Sequence, residues 1–150
     1  MARYDKYDPR DGGFRAPLNM DLTATSGPGS AGTPTNSDLS KVLVVGLNGS
    51  GRLVKATSTV IPRGVIIANG PMAAGDIADV MTHGEIVELA AVDLQAATAP
   101  VAGTGYYHEN TAARLAATAP AAGAVGFLVG WTVEAGRLIV RCQHVGSVDA

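Results

Sequence analysis

The chain holds one cysteine, seven aromatic residues and few charges, and each scarcity closes off a class of function. A lone Cys142 leaves no intrachain disulfide framework and no cysteine-based zinc site. It ends the alternating stretch Leu138-Ile139-Val140-Arg141-Cys142, which predicts a buried, unreactive thiol. Charged residues make up 16% of the chain, against about 25% in ordinary soluble domains. Acids and bases are interspersed and the net charge is −2, so no basic stripe exists to track a phosphate backbone and nucleic acid is not an expected partner. No apolar run approaches the roughly 18 residues of a membrane span. The opening Met1-Ala2-Arg3-Tyr4-Asp5-Lys6 lacks the apolar core of a signal peptide, so synthesis in a cytoplasm is expected and no membrane partner. Few charges beside 47% hydrophobic residues leave two readings open: a surface partly covered by partners, or a bias toward Ala and Gly.

What is present divides the chain in two. Residues 1–22 are polar and mixed in charge, broken by Pro9, Gly12, Gly13 and Pro17. Residues 23–38 carry almost nothing to bury and read as a flexible linker spanning roughly 20–25 Å root-mean-square. From Leu39 onward, short β-branched runs alternate with Gly-centred turns, the texture of an all-β barrel or sandwich. The expected division is therefore an extended arm and linker over 1–38 and a β-barrel body over 39–150. Strands are predicted near Lys41–Val45, Arg52–Ala56, Gly64–Ile67, Ile77–Met81, Glu85–Ala91, Gly105–His108, Ala124–Val133 and Arg137–Gln143. Two hairpins are the clearest, one across Asn48-Gly49-Ser50-Gly51 and one across Ala135-Gly136, where Gly supplies the positive φ of tight turns. The only helical signal is one turn over Asp93–Ala99, ended by Pro100. The segment Ala96-Ala97-Thr98-Ala99-Pro100-Val101-Ala102-Gly103 recurs as Ala116-Ala117-Thr118-Ala119-Pro120-Ala121-Ala122-Gly123; one repetition is too little for a solenoid, so the copies read either as two strand-to-turn connections or as a coincidence of Ala-rich composition.

No catalytic constellation emerges, and no cofactor is expected. Gly46-Leu47-Asn48-Gly49-Ser50-Gly51-Arg52 lacks the Lys-Ser/Thr of a phosphate loop and reads as a turn. His83, His108 and His144 have no metal-ligand spacing. Asp76, Asp79, Glu85 and Glu88 lie close in sequence, but on strands flanking Gly84 they decorate solvent faces or subunit contacts. The N-terminal segment says more. Tyr4, Tyr7 and Phe14 fall within its first fourteen residues, whereas idle tails are poor in aromatics. Arg3, Lys6, Arg10 and Arg15 alternate with Asp5, Asp8 and Asp11. This pattern reads as an anchor for a protein partner, with Tyr4, Tyr7, Phe14, Arg3, Arg10 and Arg15 as its contact residues. The competing reading folds Tyr4, Tyr7 and Phe14 back onto the chain's own body. On the anchor reading, removing residues 1–22 leaves the body folded.

Three stretches together resemble the capsid decoration proteins of actinobacterial tailed phages. They are Arg3-Tyr4-Asp5-Lys6-Tyr7-Asp8-Pro9 with Gly12-Gly13-Phe14-Arg15-Ala16-Pro17-Leu18; Ala74-Gly75-Asp76 through Asp79-Val80-Met81-Thr82-His83-Gly84-Glu85-Ile86-Val87-Glu88; and Val125-Gly126-Phe127-Leu128-Val129-Gly130-Trp131 with Gly136-Arg137-Leu138-Ile139-Val140-Arg141. The resemblance implies a small β-barrel or β-clip-like body, commonly a homotrimer, on the outside of an icosahedral head. It implies the major capsid protein as partner, and it carries no catalytic residues. A trimeric β-clip nucleotide hydrolase and a virion-surface adhesin are the alternatives. The tail Gln143–Ala150 lacks the aromatic the first would need, and an exposed aromatic cluster would favour the second.

Overall fold

In a strand, successive side chains point to opposite faces, so an unbroken apolar run needs cover on both sides. Val42-Leu43-Val44-Val45 is such a run, and all four residues are buried. The computed structural model describes residues 12–22, 42–68, 70–109, 113–119 and 125–147. Among them are ten strands: β1 (Gly13–Pro17), β2 (Val42–Leu47), β3 (Leu53–Lys55), β4 (Pro62–Ile67), β5 (Ile77–Met81), β6 (His83–Ile86), β7 (Gly105–His108), β8 (Leu115–Ala116), β9 (Val125–Glu134) and β10 (Arg137–Ser147). They form two five-stranded antiparallel sheets, ordered β1-β5-β4-β2-β3 and β6-β10-β9-β7-β8. The all-β class holds. The architecture is a pair of sheets, not a closed barrel.

Each face of β2 belongs to a different core. Val42 and Val44 join Val65 of β4 and, from the second sheet, Tyr106, Leu115, Phe127, Val129, Leu138 and Val140 in the cluster between the sheets. Leu43 and Val45 look the other way, into a cluster with Leu53, Ile66, Ala78 and Val80. The second cluster is completed by Ala16, Leu18 and Leu22, the two leucines being fully buried.

The segment 12–22 is a clasp around the first sheet. β1 runs antiparallel to β5, pairing Phe14 with Val80 and Ala16 with Ala78. Pro17 pairs with Ile77 of β5 and, one residue on, Leu18 bridges Leu53 of β3 in parallel sense, so the two edge strands of this sheet meet at the segment. The Leu18 N–H donates to the Asp76 carbonyl (2.8 Å), Asn19 to Leu53 (2.9 Å) and Leu22 to Met72 (2.8 Å). These bonds curl the sheet over the second cluster without building a continuous closing ladder. The expected arm is corrected accordingly: residues 12–22 belong to the body. Residues 1–11 and 23–41 lie outside the described residues.

Two buried polar groups fasten the loops. Asp93 accepts from the backbone N–H of Val42 (2.9 Å) and of Ala90 (2.8 Å), tying the approach to the second sheet onto the start of β2. The helical turn is a 3₁₀ turn over Ala91–Asp93, ahead of its expected place, because Asp93 closes it by bonding back to Ala90. Thr132 of β9 binds the loop before β7. Its N–H donates to the Thr104 carbonyl (3.0 Å), and its carbonyl and hydroxyl accept from Gly103 and Thr104 (2.8 and 3.1 Å). That loop is the first copy of the Ala-rich repeat; the second runs out of the described residues after Ala119.

Apart from β8, which the sequence reading did not contain, the strand positions otherwise follow it, with Ile77–Met81 and Gly105–His108 unchanged. The Asn48 side chain caps the β2–β3 turn, accepting from Ser50 and Arg52 N–H at 2.9 and 3.0 Å, so the glycine-rich loop is a hairpin turn. The strand expected over Glu85–Ala91 is displaced to His83–Ile86. Glu88 there takes a positive φ of 64° and the Leu89 N–H turns to the Gly136 carbonyl.

Cys142 packs against the inter-sheet cluster, its Sγ 3.9 Å from the carbonyl oxygens of Met81 and Val129. Burial pushes its thiol up to about 12.

Two outcomes follow from this packing. Removing residues 1–11 should leave the thermal transition near that of the full chain, and removing 1–22 should abolish it. Leu18→Ala alone should cost about 2–5 kcal/mol in chemical denaturation. For Cys142, the unfolded thiol ionises near 9 and the folded one near 12, so the unfolded state holds fewer protons between them. Stability is untouched by this thiol below about pH 9 and falls as pH rises from there towards 12. Cys142→Ala should flatten that decline in denaturation curves, and native protein at pH 8 should resist iodoacetamide until unfolded.

Candidate interaction surface

The surface with most built into it lies along β5, where three elements converge. On one side is β1. Two consecutive glycines allow it to start close to its neighbour: Gly12 has φ 104°, and a Cβ there would stand 2.8 Å from the Cβ of His83. A Cβ on Gly13 would collide with the Val80 carbonyl. The Gly12 carbonyl accepts from both Thr82 and His83 N–H, at 2.8 and 2.9 Å, at the point where β5 hands over to β6 and the chain passes between sheets. The Arg15 Nε lies 2.7 Å from Asp79 Oδ1 across the β1–β5 ladder. Arg15 is one-third exposed and Asp79 only 12%, so the pair sits at the edge of the buried surface and fixes the register of β1 on β5. Phe14, half-buried, packs on the second cluster.

On the other side of β5 the sheet opens. β4 and β5 pair only at Val65 and Met81. Beyond that pair the strands part, and a cavity of about 480 Å³ lies between them, lined by Ile66 and Ile67 from β4, Ile77 and Asp79 from β5, and Met72 and Ile86 among others. Ile67 is 38% exposed and Ile77 51%, both large apolar side chains at the rim. Among the described residues Asp79 is the one ionisable residue in the lining, with Arg15 holding it, and no hydroxyl, thiol or imidazole is among them. A slot between two strand edges, its wall as much polar as apolar, suits an extended peptide whose main chain and side chains can meet both kinds of surface.

The sequence-predicted residues are thus separated. Phe14 and Arg15 sit in the body, on β1; Arg3, Tyr4, Tyr7 and Arg10 lie outside the described residues. Among the carboxylates, Asp76 caps its own turn by accepting from Ala73 N–H (2.8 Å), Asp79 pairs with Arg15, and Glu85 meets Arg137 of β10. The Arg137 hydrogen bond holds the Glu85 carboxyl below the usual carboxylate range. They serve three separate contacts. His108 is fully buried with Nε2 3.3 Å from the Ala56 carbonyl, whereas His144 stacks edge-on against Phe127, with ring centroids 5.1 Å apart. Among the described residues no group of three His, Cys, Asp or Glu could hold a metal ion. Tyr106 is core and Tyr107 half-buried, leaving Trp131 of β9, 42% exposed beside Val133, as the large aromatic on the outer face of the second sheet. Sequence reading missed the cavity because nothing in a strand's residues states that its ladder stops after one pair.

No protein-family model matches the chain, and no curated protein does. A solved structure from Mycobacterium phage Patience has the same fold, with a TM-score of 0.64 over 93% of this chain and 95% of that one, at 19% identity.

Proposed function

We propose that this chain is a non-enzymatic virion protein that decorates the outside of an icosahedral phage head and stabilises contacts between major capsid protein subunits, as a homotrimer. The observation that carries the reading is the likeness, over nearly the whole of both chains, to a fold from a phage. The sequence resemblance supports it at places that matter structurally. Gly12-Gly13-Phe14-Arg15-Ala16-Pro17-Leu18 forms the start of the clasp, and the stretch from Asp76 to Glu88 forms β5 and β6, which join the two sheets. These are positions where the fold restricts the residue, so likeness there follows from likeness of fold.

The chemistry of the surface is of the same kind. Apolar side chains at the cavity rim and on β9 suit protein contacts, and the ionisable groups nearby are already bound within the chain. With residues 12–22 in the body, the anchoring role falls to residues 1–11, with Arg3, Tyr4, Tyr7 and Arg10. A folded body and a short anchor gain affinity by acting together, since the second contact forms at high effective concentration.

Co-sedimentation with empty expanded shells tests this. The full chain should bind saturably, and the chain lacking residues 1–11 should bind at least tenfold more weakly while keeping its melting transition. Undiminished binding by the shortened chain would remove the four anchors; absence of binding by the full chain would overturn the decoration role.

A further inference from the structure

The clasp is joined to the rest of the body by residues 23–41, and both ends of that connection lie at one place. Leu22 bridges Met72 and Val42 pairs with Ile67, and Met72 and Ile67 line the same cavity. Neighbouring ends of this sort are ordinarily joined by about 4–6 residues. A chain of the length of 23–41 can reach roughly 65 Å when extended. Its sequence, Thr-Ala-Thr-Ser-Gly-Pro-Gly-Ser-Ala-Gly-Thr-Pro-Thr-Asn-Ser-Asp-Leu-Ser-Lys, offers one large apolar side chain, Leu39. The connection is far longer than closing the clasp on its own body requires.

The clasp itself contacts only residues distant in sequence. Its ladder is with β5, its parallel bridge with Leu53 and its final bridge with Met72. Every one of these bonds forms equally well with the same sheet of a second copy, because the seat is made by residues 43–83. Exchange of such an element between identical chains conserves all its contacts and adds a link between subunits.

We propose that in the oligomer the clasp is exchanged: residues 12–22 of one copy seat on β5, Leu53 and Met72 of its neighbour and complete that neighbour's second core with Leu18 and Leu22. This rests on the oligomeric part of the reading above. Subunits joined this way separate only if the second core opens, so the exchanged oligomer dissociates with the unfolding transition and not before it.

The antiparallel pair Ala16–Ala78 gives the test. Directly paired residues have Cα atoms about 4.5–5.5 Å apart, within the range a disulfide spans. Two chains in a Cys142→Ala background, one with Ala16→Cys and one with Ala78→Cys, are co-expressed, oxidised and run on a non-reducing gel, with size measured by light scattering. A disulfide-linked pair containing one chain of each kind is expected. An oligomer without that pair, in which the double variant Ala16→Cys, Ala78→Cys links only within one chain, would overturn the exchange and leave the oligomer standing. A monomer at millimolar concentration would overturn both. If the variants fail to fold or oxidise, the native sequence gives the same answer. Isotope-filtered NOEs in a mixture of labelled and unlabelled chains should connect Leu18 to Leu53 between copies, and their restriction to single copies would contradict the proposal.

Discussion

Strand β2 is apolar on both faces, and the rest of the architecture answers to that. One face, with Val42 and Val44, is covered by the second sheet; the other, with Leu43 and Val45, has no second sheet to meet. A sheet of five strands left bare on that side would expose Leu53, Ile66 and Val80 to water as well, at a cost of about 25 cal/mol per Å² of apolar surface. The chain meets the need with its own N-terminal segment. Leu18 and Leu22 lie across the face while β1 holds one edge and the Leu18–Leu53 bridge the other. The clasp is therefore part of the fold's energetics and not an appendage.

Much of this was legible. The hairpins follow from Asn48-Gly49 and Ala135-Gly136, and the apolar run at 42–45 was part of a predicted strand. What went unread was its consequence, that something must cover the second face. The covering strand carried its own signal: Phe14, Ala16 and Leu18 alternate with Arg15, Pro17 and Asn19. Gly12, Gly13 and Pro17 looked like breakers, yet they suit this position. Glycines allow close approach to β5, and proline is tolerated on an edge strand, where its missing N–H has no ladder to break. Composition spoke against a strand, and the tertiary setting reversed it.

The functional surface was less legible, for a physical reason. An anchor is recognised in sequence by residue type, whereas a cavity arises where a ladder stops, as β4 and β5 do after Val65 and Met81. Phe14 and Arg15 have the residue types of an anchor and spend them inside the body, on the second cluster and on Asp79. The same side chains serve cores and interfaces alike, and only the register tells the two uses apart.

Native-state hydrogen exchange of the Leu18 and Asn19 amides tests the central claim most directly. Leu18 donates to the Asp76 carbonyl just ahead of β5 and Asn19 to the Leu53 carbonyl of β3, so both should exchange only with global unfolding, at the rate of Val44 and Ile66. Rapid exchange at Leu18 and Asn19 while the strands stay protected would show the clasp to be a detachable arm and would contradict the account.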